Sequence, residues 1–469
     1  MTSEDFRKTG HEFVDWMADY LEGIENLPVK PDVAPGDIYK ALPALAPAEG
    51  ESMDTIFKDF KEIILPGMTH WQSPSFHAYF PGNNSKPSIL AEMLTATMGA
   101  QCMVWATSPA ATELEDRLME WLRQMVGLND DWVGSIQSGA SDATLNAILT
   151  AREKASGFTA NETGLTDDNY RIYASDQVHS SIDKAIAIAG IGKRNLVKIA
   201  VDKAFALDIA ALEAAITQDM ANGKKPLMIV ATLGTTGSTA IDPLSRIIQV
   251  ARAHNIWVHV DAALAGTALL LEEMRWMADG LEEADSFVFN PHKWMFTNFD
   301  ASAYFVKDKQ ALINTFSITP EYLRTKEDAQ VNNYRDWGVP LGRRFRALKL
   351  WFVIRNYGVD GLKEKIASHL KMANWFKQQV EKDESFELLA PVPLNTICFR
   401  NISVGKSLDD LNQLNEDLMH RLNKSGKVFL THVKLNDIFA LRMVIGQTEV
   451  AQRHIEKAWS LIKEMSDAA

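Results

Sequence analysis

Cysteine is scarce in this chain: two of its 469 residues are cysteine. Cys102 and Cys398 do not form a CxxC pair, so the sequence indicates neither a disulfide framework nor a thiolate zinc site. We therefore expect two buried, reduced thiols and no bound metal. The remaining composition, 46% apolar and 23% charged residues, is that of an ordinary globular protein.

Basic residues are also in deficit, with 48 Lys and Arg against 61 Asp and Glu and a formal charge of -13. A nucleic acid or an anionic membrane would need a basic face, so this charge argues against both partners. No apolar run reaches the roughly 18 residues of a membrane-spanning helix, and the acidic N-terminus lacks the apolar core of a signal peptide. We therefore expect a cytoplasmic protein.

Strand-like and helical runs alternate through the middle of the chain. A chain of this length is too long for one small core, so we expect at least two lobes. From about residue 85 to 310 the alternation predicts an α/β fold, in which a mostly parallel sheet is flanked by helices. The predicted strands are 133–137, 171–174, 227–233, 256–260, 286–289 and 303–306.

The two ends of the chain differ from this middle. Residues 3–24 carry apolar side chains at helical spacing and predict an amphipathic helix, whereas five prolines between residues 28 and 47 predict an extended arm. Residues 342–382 are expected to be helical, and short strands are expected at 396–399, 427–430 and 439–444. We predict an N-terminal helical arm that packs on a partner subunit (1–84), a large domain (85–345) and a small C-terminal α/β domain (346–469).

The run from Val133 to Thr144 passes from a strand through a turn of small residues into a helix. Free backbone N–H groups at a helix start, together with the Ser141 hydroxyl, can hold a phosphate group. An ordinary helix start with Ser141 or Asp142 as N-cap explains the segment equally well. The run is neither a Walker loop nor a GxGxxG motif.

A single lysine stands where a predicted strand ends, in the sequence Asn290-Pro291-His292-Lys293-Trp294. Pro291 cannot continue a central strand, so Lys293 is expected at a strand end that faces a site. A primary amine placed there can form a Schiff base with a carbonyl compound if burial or a nearby cation lowers its pKa. A solvated surface lysine is the alternative when this segment is considered alone.

Two more polar residues follow predicted strands. Asp261 ends a nearly uninterrupted apolar run, where a carboxylate is costly unless it meets a cation such as a protonated ring nitrogen. His179 also follows a strand-like run, and its imidazole can stack on a flat ligand or transfer protons. A helix N-cap role for Asp261 and a structural role for His179 are the alternatives. In a doubly wound sheet, ligands bind outside the carboxyl ends of the strands.

An amine for a Schiff base, an acid for a ring nitrogen, a phosphate-binding turn and a stacking imidazole together describe a pyridoxal phosphate site. Over nearly its whole length the chain resembles the group II pyridoxal-phosphate-dependent amino acid decarboxylases, and within them most closely the aromatic-L-amino-acid decarboxylases. The matching motifs are residues 70–74, 78–81, 108–110, 113–115, 231–237, 259–263, 290–294 and 340–346.

The resemblance implies a type I, aspartate-aminotransferase-like fold and a homodimer whose active sites lie at the subunit interface. It implies that Lys293 forms the Schiff base with pyridoxal 5'-phosphate, that Asp261 pairs with the ring nitrogen and that His179 stacks on the ring. The implied reaction converts an aromatic L-amino acid to its arylalkylamine and CO2. The other implied cofactor contacts are Ala140, Ser141, Thr236, Ala263, Asn290, His292 and Gly342.

Tyr322 stands where the decarboxylases that this chain resembles carry a loop tyrosine, in the polar stretch that begins at Thr319. In the family this tyrosine returns a proton to Cα after CO2 leaves, and such general-acid help is worth about 10²- to 10⁴-fold. Family members that instead make aldehydes with oxygen carry phenylalanine there. Tyr322 therefore favours decarboxylation.

The resemblance also implies a pocket for the substrate ring. Gly342 stands where plant relatives carry glycine for indolic or serine for phenolic substrates, so tryptophan is permitted, beside tyrosine, DOPA, 5-hydroxytryptophan and phenylalanine. Gly82, Met103 and Leu264 depart from the animal enzymes that handle catechols, which weakens the expectation of a catechol substrate. The implied substrate-binding residues are Trp71, Tyr79, Phe80, Pro81, Gly82, Met103 and Gly342.

Three alternatives stay open at this point. An oxygen-dependent aromatic aldehyde synthase would share most of the motifs. A decarboxylase of glutamate or aspartate would need an arginine that binds the side-chain carboxylate, and the sequence does not reveal one. A binding protein that only retains the fold would be expected to have lost Lys293 or Asp261, and both are present.

Overall fold

A mostly parallel sheet organises the larger of two compact units in the computed structural model, which describes residues 1–165, 169–318, 330–403 and 405–467. The larger unit comprises Gly82–Ala373 and Ala390–Ile397. The smaller unit comprises Met1–Pro81, Asn374–Leu389 and Cys398–Ala469. These packing units divide the chain differently from the arm, large domain and small domain expected above, and that functional division stays a prediction.

Within the described residues, the sheet of the larger unit has seven strands in the order β1-β7-β6-β5-β4-β2-β3. Only β7 runs antiparallel to its neighbours, so the predicted α/β class with a mostly parallel sheet is confirmed. The sequence prediction omitted β3, a four-residue edge strand. The strands are β1 Val133–Gln137, β2 Tyr170–Ser175, β3 Leu196–Ile199, β4 Lys225–Thr232, β5 Trp257–Asp261, β6 Ser286–Phe289 and β7 Ser302–Val306.

Helices of the larger unit flank this sheet, and further helices belong to the smaller unit. Their apolar faces are buried: in α6, for example, Ala143, Ala147, Ile148 and Ala151 pack into the core beside β2 and β4. The helices are α1 Ser3–Gly23, α2 Asp37–Ala41, α3 Met53–Asp59, α4 Lys86–Met98, α5 Pro109–Met125, α6 Ala140–Ala155, α7 Ala160–Thr163, α8 Ser181–Ile188, α9 Ile209–Ala221, α10 Leu244–His254, α11 Pro291–Trp294, α12 Lys309–Phe316, α13 Arg346–Lys382, α14 Leu408–Lys424 and α15 Gln452–Asp467.

Two of the predictions outside the sheet need correction. The arm predicted as extended between the prolines contains the short helix α2, which lies between Pro35 and Pro43. Region 342–382 begins as a helix only at Arg346, and α13 is interrupted at Gly358, whose φ of 68° only glycine adopts without strain. The amphipathic N-terminal helix is confirmed by α1.

A four-stranded sheet in the described residues, ordered β10-β11-β9-β8, is the framework of the smaller unit. The strand predicted at 427–430 is wrong, because the strand begins only at Thr431. Within 427–430 only Phe429 is paired, in an isolated bridge with Phe76, and the side-chain amide of Asn423 takes both backbone groups of Leu430, at 2.8 and 2.9 Å. The strands are β8 Phe386–Leu388, β9 Thr396–Asn401, β10 Thr431–Leu435 and β11 Ile438–Val444.

The direction of the strands explains why polar residues collect at one edge. Since β7 is antiparallel to both β1 and β6, strand β1 points the same way as β6, β5, β4 and β2. The carboxyl ends of these five strands therefore share one edge of the sheet, where ligands bind in open α/β folds. Among the described helices, none combines the length and the apolar character that crossing a bilayer requires.

Candidate active site

The shared carboxyl edge carries most of the residues predicted to bind the cofactor. Ala140 and Ser141 follow β1, His179 follows β2 and Thr236 follows β4. Asp261 ends β5 with Ala263 just beyond it, and the segment from Asn290 to Lys293 follows β6. The strand topology therefore brings all five of these segments to the same edge.

The turn between β1 and α6 is open toward this edge. Gly139 is the N-cap of α6 and Ala140 is its first residue, so neither Ser141 nor Asp142 caps the helix as the alternative supposed. Ser138 Oγ donates to the Asp142 carboxylate. The N–H groups of Ala140 and Ser141 belong to the first turn, which has no intrahelical acceptors, and the Ser141 side chain is exposed. This is a suitable geometry for an anion such as phosphate.

Lys293 lies in α11, a single turn that begins at Pro291 directly after β6. Both backbone polar groups of Lys293 are hydrogen-bonded. Its N–H donates to Asn290 O at 2.9 Å, and its carbonyl accepts from Asn83 Nδ2 at 2.8 Å. The side chain is half-buried. The alternative of a solvated surface lysine therefore does not describe this residue.

His292 precedes the lysine and is buried in the same turn. Ala301 N–H donates to His292 Nδ1 at 3.0 Å, so that nitrogen is an acceptor and carries no proton. Burial and the adjacent Lys293 charge lower the pKa of His292 to about 3. The ring is therefore neutral at physiological pH and adds no second positive charge beside the lysine.

Asn290 connects three strands at the edge. Its N–H donates to Ala263 O at 3.0 Å, and its Oδ1 accepts a hydrogen bond from Ser302 Oγ at 2.7 Å. Ser302 is also the register partner of Gln137, the last residue of β1. The phosphate-binding turn after β1 and the lysine turn after β6 are thus held on either side of the start of β7.

Asp261 is 6% exposed at the end of β5. Its Oδ1 accepts the Ala263 N–H at 3.0 Å, which closes a side-chain turn, and its carbonyl accepts the Leu233 N–H at 2.9 Å. No described helix starts on Asp261, so the N-cap alternative is wrong. A carboxylate buried to this degree is costly unless a cation faces it, and a protonated ring nitrogen is such a cation.

His179 shares an electrostatic environment with Asp261 and Lys293. Burial lowers the pKa of His179, the Asp261 charge raises it and the Lys293 charge lowers it again. Ser181 N–H donates to His179 Nδ1 at 3.1 Å, so the neutral ring carries its proton on Nε2. A neutral, flat imidazole that is exposed at this edge and interacts electrostatically with the acid and the amine is suited to stacking on an aromatic ring.

Thr236 lies exposed in the turn after β4, whereas its neighbour Thr235 is buried and stabilises the turn by accepting the Ala240 N–H at 3.0 Å. Two further hydroxyls end strands at this edge, Ser175 on β2 and Thr232 on β4. Both are buried and have no hydrogen-bond partner among the described residues. The edge therefore offers hydrogen-bonding capacity beyond what the described residues use.

Gly342 and Met103 belong to the larger unit but lie in segments outside its sheet. Gly342 is exposed and lines a small recess together with Gln137 and Ser138, so the structure places it next to the phosphate-binding turn. A Cβ atom at Gly342 would lie 3.2 Å from Gln101 Nε2, which leaves little room for a side chain. Met103 is half-buried near the same segment, and Leu264 is fully buried.

Four of the predicted ring-pocket residues belong to the smaller unit. There Trp71 stacks on Tyr79 with ring centroids 5.7 Å apart, and Arg442 Nη1 donates to Tyr79 O at 2.9 Å. The guanidinium of Arg442 lies over the Phe80 ring, and Pro81 is buried. Gly82 is the first residue of the larger unit. Their assignment to the ring pocket stays a prediction, and Tyr322 lies outside the described residues.

Sequence reasoning assigned no role to a buried ion pair beside Gly342, between Glu115 on α5 and Arg343. A signal was present in the sequence. Glu115 occupies the apolar face of α5, with buried neighbours Ala111, Leu118 and Leu122 at helical spacing. A carboxylate in such a position needs a buried cation, but the spacing alone does not identify Arg343 as that cation.

The residues at the edge fit pyridoxal phosphate. A helix start with small residues suits the phosphate group, the buried Asp261 carboxylate suits a protonated ring nitrogen and a half-buried amine on Lys293 suits the carbonyl carbon. In the described part of the chain no group of three or more His, Cys, Asp or Glu residues could hold a metal ion.

Comparison with known proteins gives a consistent result. The family model of the pyridoxal-dependent decarboxylase conserved domain matches residues 35–402. Aromatic-L-amino-acid decarboxylase of Rattus norvegicus is 41% identical, with 100% of this chain and 98% of that protein covered. Phenylacetaldehyde synthase of Arabidopsis thaliana is 42% identical, with 99% and 96% covered. The structure of Oryza sativa TDC with PLP and tryptamine has a TM-score of 0.97 at 35% identity, covering 100% of this chain and 99% of that chain.

The pH dependence of stability provides a test of the buried layer behind Asp261. His259 lies between Ser286 Oγ, 2.9 Å from Nδ1, and Thr144 Oγ1, 3.2 Å from Nε2, and burial lowers its pKa to about 4. Below pH 6.5 the unfolded chain binds a proton there and the folded chain does not, so stability is lost as the pH falls. We expect the titration of His259 to lower the free energy of unfolding by about 2 kcal/mol between pH 7.5 and pH 5.

The His259→Gln variant is expected to be less stable than the parent protein at pH 7.5. Between pH 7.5 and pH 5, however, its free energy of unfolding should fall by about 2 kcal/mol less than that of the parent, as measured by urea unfolding. His254→Gln, at an exposed position of α10, controls for the exchange of side chain. If His259→Gln and the parent protein lose stability equally between these pH values, His259 is not the neutral buried group described here.

Proposed function

The chain belongs to the pyridoxal-dependent decarboxylase family and has the type I fold expected from its sequence, and from this membership we propose that it decarboxylates an aromatic L-amino acid to the corresponding arylalkylamine. It is a carboxy-lyase whose cofactor is pyridoxal 5'-phosphate. The observation that carries the proposal is the meeting of Lys293, Asp261 and His179 at one edge of the sheet, because these three residues supply an amine, an acid and a flat neutral ring.

Each of these residues has a definable task. Bound pyridoxal phosphate supplies the acceptor for the electron pair left on Cα when CO2 departs. Asp261, held by the Ala263 N–H, keeps a proton on the ring nitrogen and so maintains that electron demand. Lys293 would hold the cofactor through its side-chain amine, at the carbonyl carbon. His179 covers the ring without adding positive charge that would compete for Asp261.

An aromatic substrate is supported by the nature of the relatives and by the composition of the predicted pocket. The relatives that match over their full length are named for aromatic amino acids or their products. Trp71, Tyr79 and Phe80 would provide flat apolar surface for such a ring. Gly342, with no side chain, leaves space for the two fused rings of tryptophan.

The aldehyde synthase alternative differs from the proposal at one residue. A phenylacetaldehyde synthase is as similar to this chain as the decarboxylases are, so overall identity does not separate the two activities. The separation depends on Tyr322, since a phenol can return a proton to Cα and a phenyl ring cannot. Tyr322 is present, and it supports amine as the main product.

We also propose a cytoplasmic homodimer. Helix α4 carries an exposed apolar face, on which Leu90, Met93, Leu94 and Met98 are 39% to 55% exposed. An apolar face of this kind on a globular protein indicates an interface with another chain. Both cysteines are buried thiols and neither is part of a disulfide, which fits a reducing compartment.

Lys293→Ala tests the anchoring role. The purified variant, incubated with excess pyridoxal phosphate, should lack the visible absorbance band of the protein-bound Schiff base and should release no amine, since no other amine occupies that position. Absorbance spectra and mass spectrometry after borohydride reduction measure this. Lys198→Ala, an exposed lysine on β3, should retain the band. A reducible adduct that persists in Lys293→Ala would refute the assignment.

Tyr322→Phe tests the reaction type. Loss of the phenol should lower amine formation by about 10²-fold or more, because proton return to Cα slows, while aldehyde and peroxide increase. All three products are measured in one reaction with tryptophan or tyrosine. Tyr39→Phe, at a residue that is 83% exposed, is the matched control. Unchanged amine yield in Tyr322→Phe would show that this tyrosine is not the acid.

Gly342→Ser tests the ring pocket. A hydroxymethyl group there should reduce kcat/KM for tryptophan about tenfold more than for tyrosine, because the larger ring needs the space. Since the new Cβ also touches Gln101, Gly342→Ala separates that contact from the effect of the hydroxyl. Equal losses for both substrates in both variants would contradict the predicted pocket.

A further inference from the structure

Two predicted specificity positions, Met103 and Gly342, are joined to one another through the backbone. Cys102 N–H donates to Arg343 O at 2.9 Å, and Arg335 N–H donates to Met103 O at 2.9 Å. Arg343 N–H donates to Gln101 Oε1 at 2.7 Å. The segment around Met103 therefore cannot shift without the segment that ends at Arg343, and both are expected to move as one unit.

A buried ion pair fixes this unit to the sheet. Arg343 Nη2 and Nη1 donate to Glu115 Oε1 and Oε2 at 2.6 and 3.1 Å, and Arg343 Nη2 also donates to Ile136 O at 2.7 Å. Glu115 Oε1 accepts the Ile136 N–H at 2.8 Å in addition. Glu115 is 2% and Arg343 8% exposed. A bidentate pair has a fixed geometry, so it determines direction as well as distance.

Tyr334 packs against the guanidinium of Arg343 and is itself held by hydrogen bonding. The Tyr334 ring lies under the Arg343 guanidinium, with 4.6 Å between the guanidinium carbon and the ring centroid. Tyr334 Oη donates to Asp116 Oδ1 at 2.5 Å, and Asn332 Nδ2 donates to the same oxygen at 2.7 Å. Burial alone would lower the pKa of Arg343, but the Glu115 charge raises it, so the guanidinium stays charged.

This arrangement is a poor means of gaining stability. Removing two charges from water is costly, and well-packed apolar residues of similar volume stabilise a core as well or better. What a bidentate buried pair does provide is a single orientation for the backbone that carries it. In this chain that backbone belongs to Arg343, whose N–H and carbonyl groups are also both bonded and whose preceding residue is Gly342.

We propose that Glu115 and Arg343 are positioning residues for substrate choice: by fixing Gly342 and Met103 relative to the sheet, they determine which aromatic ring the enzyme accepts. This inference rests on the proposed function. A Cβ atom built on Gly342 would lie only 3.2 Å from Gln101 Nε2, so a shift of Gly342 by a few tenths of an ångström changes what this position can accommodate. Neither residue needs to touch the substrate.

Glu115→Gln tests the inference, because it retains shape and the Ile136 contact but removes the charge. The ratio of kcat/KM between the best and the second-best aromatic substrate should fall about tenfold. If the parental ratio is itself below about tenfold, it should fall to unity. The ratio does not depend on how much of the sample is active, so partial unfolding cannot produce this result. The visible absorbance of the Lys293 Schiff base should be unchanged, since that turn is held separately by Asn83.

Glu153→Gln is a closely matched control. Glu153 is also buried in the larger unit, accepts two hydrogen bonds from Arg152 and accepts one backbone N–H from Asn161. The Glu153→Gln substitution therefore removes the same kind of charged interaction as Glu115→Gln, but near the C-terminal end of α6. The variant should lose comparable thermal stability and keep the parental substrate ratio.

Tyr334→Phe provides a second, milder test if Glu115→Gln does not fold. It removes the hydroxyl that bonds Asp116 but keeps the ring under Arg343, and its substrate ratio should move in the same direction. A ratio within twofold of the parent in every folded variant would overturn the inference. Failure of the proposed function would appear differently, as no CO2 release by the parent protein from any aromatic amino acid, and would overturn the inference with it.

Discussion

The common direction of six strands, five of which end at the candidate site, is the constraint on which that site depends. In the described sheet, β7 alone runs against its neighbours, so the segments after β1, β2, β4, β5 and β6 all arrive at one edge. Residues more than 150 positions apart in sequence, such as Ser141 and Lys293, are brought to that edge by topology alone. Ser302 then ties the β1 and β6 ends together, since it pairs with Gln137 and donates to Asn290.

Burial gives that edge its charge distribution. The histidines around it, His179, His259 and His292, all have lowered pKa values, and for each the largest cause is burial. Their neutrality matters because a protonated imidazole would satisfy Asp261 and leave nothing for the ring nitrogen of the cofactor. In the proposed site, desolvation thus leaves the Asp261 carboxylate available for the ring nitrogen, because it keeps the neighbouring imidazoles uncharged.

The sequence predicted what depends on local chemistry and missed what depends on partners far away. Strands β1, β5 and β6 were predicted within a residue or two, because apolar runs ending at Asp261 or Pro291 are strong local signals. Local chemistry suggested roles for Lys293, Asp261 and His179 but left structural alternatives open, and the family resemblance favoured the cofactor roles. The false strand at 427–430 shows the limit of pattern: its residues have β-type character, but the Asn423 side chain takes the backbone groups of Leu430. No window of local sequence contains that competition.

Glu115 illustrates the same limit from the other direction. Its place on the apolar face of α5 predicts a buried carboxylate, yet its partner lies 228 residues away among three neighbouring arginines, Arg343, Arg344 and Arg346, that local sequence does not distinguish. The structure separates them: the Arg344 side chain is half exposed, whereas Arg343 is turned inward against Glu115 and Tyr334. A glycine at position 342 creates space only if its neighbours hold that space open. The inward arginine beside it provides this rigidity, so Gly342 and the buried charge of Arg343 form one structural element, the one that we propose determines substrate choice.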